Sequence, residues 1–139
     1  MLYYYYMLKA FKFRINPTMA QKVLLNKHLG CARFIYNWAL AEKTKAYQVE
    51  KVSLSRFELQ ARLPSMKKSD EFEFLKEVNS LTLQASLENL DKAYTKFFRE
   101  KKGYPNFKFK KCNRQSFSIP QNTKVDFDKN KVTNQYYPF

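Results

Sequence analysis

The sequence predicts an α+β fold, a predominantly helical bundle with an N-terminal strand before it and a C-terminal β-hairpin after it. Three patterns carry this prediction. Apolar residues recur at helical spacing between residues 81 and 103, apolar and cationic residues alternate between residues 7 and 16, and two short alternating runs flank a turn near the C-terminus. Because 45% of the 139 residues are hydrophobic, the chain can bury a core as one domain or two small lobes.

The first predicted element is a strand over residues 7–16. Leu8, Phe11, Phe13 and Ile15 supply its apolar side chains, and a cationic set interrupts them: Lys9, Lys12 and Arg14. Residues 1–6, MLYYYY, precede the pattern as an appended head that has neither the basic region nor the cleavage site of a signal peptide.

A helical region is predicted over residues 17–103. Thr18 and Gln21 fit a capping box, which begins a helix that runs to Leu29 with Val23 and Leu24 inward. Gly30 then permits a sharp turn into a second helix, residues 31–47. Its predicted buried side consists of Cys31, Phe34, Ile35, Trp38 and Ala41, and its other side carries Arg33 and Asn37. Such a pair fits a helix-turn-helix as well as an ordinary helical hairpin.

Two shorter elements follow. A helix is predicted over residues 54–63, with Ser53 or Ser55 as its N-cap and Pro64 at its end. A helical turn over residues 72–78 directs Phe74, Leu75 and Val78 inward. Asn79 or Ser80 then caps the next helix.

The long helix after residue 80 is the most strongly patterned element. Its apolar stripe comprises Leu83, Leu87, Leu90, Tyr94, Phe97 and Phe98, and a second face carries Lys92, Lys96 and Arg99. Gly103 is its predicted C-terminal stop. The basic ribbon that follows interleaves Lys108, Lys110, Lys111 and Arg114 with Tyr104, Phe107 and Phe109. Cations among aromatic planes are typical of a nucleic-acid contact.

The C-terminal region has β character, and residues 104–132 are assigned to the ribbon and a hairpin. Residues 116–119 and 124–127 alternate, and Asp128-Lys-Asn130 is a plausible turn into Lys131 and Val132. Residues 133–139 continue no pattern. The hairpin is therefore expected to lack most of its second arm, with an irregular tail after it.

The charge distribution favours a polyanionic partner. The net charge is +14 and the isoelectric point is about 9.8. Residues 1–49 carry eight Lys and Arg against one acid, and residues 92–114 carry nine against one. Two such segments folded onto one side would form a track for phosphates. The alternative is a generally solvated, lysine-rich surface.

The same composition excludes several other classes. The two cysteines, Cys31 and Cys112, lie far apart, and His28 is the only histidine, so no zinc set can be assembled. Unpaired cysteines of this kind predict a reducing compartment, the cytoplasm. No apolar run approaches the ~20 residues that span a bilayer, and no carboxylate set resembles a two-metal nuclease centre. We therefore expect no cofactor, no metal and no catalytic residue.

Five segments in order carry a family resemblance: LKAFKFRINPT, the set Gly30, Arg33, Tyr36 and Asn37, LQASLENLDKAYTKFF, GYPNFKFKK and QSFSIPQ. Their order over residues 7–132 resembles the N-terminal region of TnpB/OrfB proteins of bacterial insertion sequences. Complete members of that family are RNA-guided DNA endonucleases. The resemblance implies a helical recognition lobe inserted into a β-barrel wedge domain, with the two predicted β regions belonging to the wedge.

The resemblance also implies particular contacts. Residues that match positions near the target-adjacent duplex are Asn79, Ser80, Gln84, Gln121 and Asn122, and glutamine can bond adenine bidentately in the major groove. The family's RuvC-like nuclease domain and zinc ribbon have no counterpart in these 139 residues, which together with the irregular head and tail suggests a truncated reading frame.

The predicted function is therefore non-catalytic binding of structured RNA and duplex DNA. Other proteins of the same insertion sequence are possible further partners, and no membrane is expected. Two alternatives remain from the sequence: a stand-alone helix-turn-helix regulator, and an inert remnant that needs a partner to cover its exposed strands.

Overall fold

The computed structural model describes residues 7–111 and 114–134, which contain three α-helices, one 3₁₀ segment and one two-stranded sheet. Helix α1 spans Met19–Glu50, α2 spans Arg56–Lys68, and α3 spans Ser80–Glu100. The 3₁₀ segment, Asp70–Glu77, joins α2 to α3. Strands β1, Thr123–Asp126, and β2, Lys131–Asn134, form an antiparallel hairpin. The predicted α+β class is confirmed; the predicted head and the end of the tail lie outside the described residues, as does Cys112.

The predicted turn at Gly30 is wrong, because α1 is one continuous helix of 32 residues. Thr18 and Gln21 do form the predicted capping box at its start, with bonds of 2.9 and 3.3 Å. Gly30 has no positive φ, and a Cβ placed on it would meet nothing within 4 Å. The flanking segments therefore remain helical through Gly30, at the modest cost that glycine imposes within a helix.

Helices α2 and α3 also end at residues other than those predicted. Pro64 lies inside α2 instead of ending it. Leu59 and Leu63 before the proline are buried, and Met66 after it packs on the core, so tertiary packing holds this helix together. Ser55 is the N-cap. Helix α3 ends before Gly103, because Lys101 adopts the left-handed conformation, with φ of 52°, and terminates it.

The core lies among α1, α2, the 3₁₀ segment and α3. Its fully buried side chains are Ile35 and Leu40 of α1, Leu59 of α2, Leu75 of the 3₁₀ segment, and Leu83, Leu87 and Leu90 of α3. The predicted inward Val23 is 55% exposed, and Ala41 is exposed while Ala39 is buried, which reflects the straight course of α1. At the C-terminal end of α3 the apolar stripe extends beyond the core, as the 73% exposure of Phe98 shows.

Helices α1 and α3 run parallel. At one end the ring of His28 accepts a hydrogen bond from the Asn79 backbone N–H at 3.2 Å, and fifteen residues further along both helices Lys43 lies 4.9 Å from the centre of the Tyr94 ring. This arrangement leaves a groove between the two helices, which the chain after α3 follows.

The predicted strand over residues 7–16 does not form, since these residues are neither helix nor strand in the structure. The predicted strand at residues 116–119 is also absent. The N-terminal segment adds no third strand to the two-stranded sheet and meets the hairpin through aromatic rings: the ring centres of Phe11 and Phe13 lie 6.2 and 5.9 Å from that of Phe127. Conversely, the second arm of the hairpin is longer than predicted. Strand β2 pairs with β1 over all four residues, from Asp126↔Lys131 to Thr123↔Asn134.

Candidate nucleic-acid interface

The ribbon after α3 lies along α1 in the opposite direction. Its first contact is Tyr104, whose hydroxyl lies 3.2 Å from that of Thr44. Its later contacts fall at progressively earlier positions of α1: Lys108 at Asn37, Gln115 at Arg33, and Phe117 at His28, with the last two ring centres 5.2 Å apart. Residues 104–111 and 114–117, which are neither helix nor strand, are thus held against α1 at four points.

Asn37 makes the strongest of these attachments. Its Nδ2 donates to the Lys108 carbonyl at 2.9 Å, and its Oδ1 accepts from the Lys108 N–H at 2.8 Å. The amide side chain therefore satisfies both backbone groups of one ribbon residue, as a neighbouring strand would. The side chain that the sequence assigned to nucleic acid therefore positions the ribbon.

A hydroxyl cluster fixes the start of the ribbon. The hydroxyls of Tyr94 and Tyr104 are 2.8 Å apart, and the Tyr104 ring packs edge-on against Tyr94 and Phe97. Burial, and then the hydrogen bond to Tyr104, raises the pKa of Tyr94, so its hydroxyl stays protonated. Lys43 donates to the Leu54 carbonyl at 2.5 Å, and burial lowers its pKa.

A cleft of about 200 Å³ opens where the ribbon crosses between α1 and α3. Three predicted contact residues line it, Arg33, Lys108 and Arg114. Arg33 donates to Gln115 Oε1 at 3.3 Å, and the Lys108 ammonium lies 4.2 Å from the centre of the Tyr36 ring. The structure therefore brings together cations that are separated by as many as 81 residues in the sequence.

The cationic face of α3 continues from this cleft. Asn89 lines the cleft, and at ~100° per residue Lys92, Lys96 and Arg99 all lie within about 80° of it around the helix. All three cations are exposed, and Lys92 pairs with Glu88 at 2.8 Å. We call the exposed surface formed by Arg33, Lys92, Lys96, Arg99, Lys108, Lys110, Lys111 and Arg114 the cationic track.

The start of α3 holds a second predicted group. Asn79 is buried and serves as the N-cap, accepting from the Leu81 N–H at 2.9 Å, so its side chain is committed to the helix. Ser80 is exposed and accepts from Lys67 at 2.5 Å, and Gln84 is half-buried one turn further on. Lys67, whose pKa burial lowers, is a cation at this helix end that the sequence did not single out.

His28 connects this helix end to α1. It is fully buried, with Nδ1 2.9 Å from the Leu24 carbonyl and Nε2 facing the Asn79 N–H. This arrangement needs the neutral ring with its proton on Nδ1, and burial lowers the pKa of His28 accordingly.

The remaining predicted residues lie apart from the cleft. Lys9, Lys12 and Arg14 are exposed on the N-terminal segment, and Arg14 lines a larger cleft, about 850 Å³, between that segment and the hairpin. Gln121 and Asn122 form an exposed bend before β1, where Asn122 has a φ of 63°. Asp126 accepts from the Lys129 N–H at 3.0 Å and so shapes the hairpin turn.

Two kinds of feature are missing from the described residues. Over residues 7–111 and 114–134, no three His, Cys, Asp or Glu side chains converge as metal ligands. Within the same residues no helix combines the length and apolar character needed to cross a bilayer. Cys31 is buried as predicted, and burial raises the pKa of its thiol to about 11.

Comparison with known proteins identifies relatives. Residues 7–51 match a helix-turn-helix domain defined on OrfB proteins of IS605-type elements. A candidate RNA-guided DNA endonuclease of Streptomyces pristinaespiralis is 39% identical over 108 residues, 78% of this chain and 27% of that protein. InsQ of Escherichia coli K12, also named a candidate RNA-guided DNA endonuclease, is 31% identical over 125 residues, 90% of this chain and 31% of that protein. The chain therefore spans under a third of either relative.

A shorter relative matches almost end to end. The virulence protein VsdF of Salmonella dublin is 38% identical over 113 residues, which cover 75% of this chain and 95% of that protein.

Proposed function

The chain belongs to the TnpB/OrfB family of insertion-sequence proteins, and we propose that these 139 residues form a nucleic-acid-binding unit without a catalytic centre of their own. The observation that carries the proposal is the cationic track, in which the ribbon is attached to α1 by Asn37 and places its cations beside those of α3. Its ligands are duplex DNA and structured RNA, and RNA and DNA are the two nucleic acids in the relatives' names.

We also propose which part of the longer relatives cleaves nucleic acid. The named endonuclease relatives are more than three times as long as the matched region. We propose that nucleic-acid cleavage belongs to their remaining residues. Carboxylates of the described region support this division, since Asp126 shapes a turn and Glu88 pairs with Lys92.

A charge-reversal experiment tests the track. The variant Lys92→Glu/Lys96→Glu/Arg99→Glu alters one helix face, and the control Lys22→Glu/Lys45→Glu/Lys68→Glu alters three exposed lysines outside the track by the same total charge. Affinity for a DNA duplex and for an RNA hairpin is measured by fluorescence anisotropy. We expect the track variant to lose at least tenfold more affinity than the control. Equal losses would reduce the proposal to nonspecific attraction by net charge.

A second experiment tests the absence of catalysis. The purified chain is incubated with labelled DNA or RNA and Mg²⁺ or Mn²⁺, and no cleavage is expected. Cleavage that copurifies with the protein and disappears in Asp126→Asn would contradict the proposal.

A further inference from the structure

The cleft beneath the ribbon has four chemically different surfaces in a small volume. Leu29 and Ala32 of α1 form an apolar part, and Phe107 and Phe109 of the ribbon, 50% and 71% exposed, add aromatic rings. The amides of Asn89 and Gln115 are polar and uncharged, and Arg33 and Arg114 are cationic. A phosphate track alone requires only the cations, so the aromatic rings and amides call for a different ligand group.

Phe107 and Phe109 are exposed in a way that packing does not explain. Neither belongs to the buried core, and both belong to a ribbon held in place by Asn37 on the residue between them. Because both backbone groups of Lys108 are hydrogen-bonded to Asn37, the backbone on either side is held in place and so directs the side chains of Phe107 and Phe109. Exposed aromatic rings next to cations are how proteins stack the bases of single strands.

Arg33 can bind an anion in the same cleft. Its guanidinium carries five N–H donors, and within the described residues it donates one hydrogen bond, to Gln115. Gln115 in turn donates to the Lys110 carbonyl, which orients its amide and holds the fork of Arg33 at the cleft. A planar fork so oriented suits a phosphate oxygen pair.

We propose that this cleft binds one unpaired nucleotide of a single strand. The base stacks on Phe107 or Phe109 with its edge toward Asn89 and Gln115, and its phosphate lies on Arg33 and Arg114. A paired base is covered on both faces by its neighbours in a duplex, so the cleft selects unpaired nucleotides. The inference rests on the proposed function, because the cationic track recruits the strand that supplies the nucleotide.

The test uses short single strands, in RNA and DNA versions, that contain one 2-aminopurine flanked by abasic positions. The comparison strands are abasic throughout, and a duplex serves as the second reference. For the wild-type chain we expect about tenfold or more tighter binding of the base-containing strand, and a change in 2-aminopurine fluorescence on binding. Tighter binding of the RNA version would indicate a further contact to the 2′-hydroxyl. Equal binding of the RNA and DNA versions would indicate contacts to the base and phosphate alone, and either result supports the cleft.

Two matched variants, neither of which changes the charge, separate filling of the cleft from the addition of a large side chain. Asn89→Trp places a large side chain at the exposed rim, and Gln48→Trp does the same at an exposed position of α1 outside the cleft. We expect Asn89→Trp to lose the base preference and Gln48→Trp to keep the preference of the wild type. Phe107→Leu/Phe109→Leu, which keeps apolar volume but removes both aromatic faces, should lose at least fivefold of the preference.

The outcomes separate this inference from the proposed function. Equal wild-type affinity for base-containing and abasic strands, or an unchanged preference in Asn89→Trp and in Phe107→Leu/Phe109→Leu, would overturn the cleft while leaving the track intact. Absence of salt-dependent binding to any of these nucleic acids would overturn both.

Discussion

Asn37 and Lys108 are joined by two hydrogen bonds of 2.9 and 2.8 Å across 71 residues of sequence, and together these bonds attach the basic ribbon to α1. The amide of Asn37 is the only side chain that meets both backbone groups of a ribbon residue among the described contacts. The position of the ribbon's cations therefore depends on a neutral residue on another element.

The first prediction concerns that attachment. Asn37→Asp replaces the donor that faces the Lys108 carbonyl with an oxygen, so both a hydrogen bond and its geometry are lost. We expect the free energy of unfolding to fall by about 1–3 kcal/mol and amide exchange at residues 104–111 to accelerate. Asn26→Asp, at an exposed site on the same helix, is the control with equal charge change. Unchanged exchange in the ribbon would show that other contacts hold it.

The second prediction concerns salt. If six or more phosphates contact the cationic track, affinity for duplex DNA should fall by about 10³-fold or more between 50 and 200 mM salt. The slope of log affinity against log salt, measured by anisotropy, counts the contacts. A flat response would remove the phosphate track as the basis of binding.

The third prediction concerns Gly30. Because α1 is continuous and a Cβ there meets open space, Gly30→Ala should stabilise the protein by about 1 kcal/mol. Urea unfolding provides the measurement. Gly103→Ala is the control outside the helices, with an expected effect within about 0.5 kcal/mol. Destabilisation by Gly30→Ala would mean that the chain turns at this residue.

The fourth prediction concerns a buried hydroxyl. Thr82 is fully buried, and its Oγ1 has no hydrogen-bond partner among the described residues. Thr82→Val removes this unsatisfied group at nearly constant volume and should raise the free energy of unfolding by about 1–2 kcal/mol. Thr95→Val is the control on α3, where the hydroxyl already donates to the Asp91 carbonyl and is exposed. No gain at Thr82 would indicate that a water molecule satisfies the hydroxyl.

The fifth prediction concerns pH. Burial lowers the pKa of His28 below its ordinary value of about 6.5. The stability that depends on neutral His28 is therefore fully present above pH ~6.5 and is lost as pH falls toward the lower pKa of the folded state. His28→Gln should flatten the decline in unfolding free energy between pH 7 and pH 5. Since the chain has one histidine, a decline of the same size in the variant would assign it to other groups.

Local signals predicted local structure well. The capping box at Thr18 depends on residues within three positions and was predictable from the sequence, and the N-cap of α3 is one of the two candidates, Asn79 and Ser80, that the sequence offered. Gly30 and Pro64 misled because packing on either side of them outweighs their intrinsic helix preference. The N-terminal alternation implied a strand, yet this segment packs on the hairpin through Phe11 and Phe13 without joining the sheet, and a sequence pattern does not show whether a neighbouring backbone is met in register.

The candidate interface likewise has a part that the sequence predicts and a part that it does not. The face formed by Lys92, Lys96 and Arg99 follows from helical spacing alone. The cleft could not be predicted, because Arg33, Asn89 and Gln115 come from three segments that meet only after folding. Asn37 shows the sharper limit, since an amide one helical turn from Arg33 fits a ligand contact and a ribbon attachment equally well until its partner is known.

The antiparallel course of the ribbon also sets a length. From Thr44 to His28 it follows α1 for sixteen residues, and at 1.5 Å per residue this distance is about 24 Å. Phosphates along one strand of a duplex advance by about 3.4 Å, so the ribbon spans about seven of them, less than one helical turn of DNA. A footprint of this size can grip one side of a duplex but cannot encircle it, and longer protection of nucleic acid would require a second binding surface.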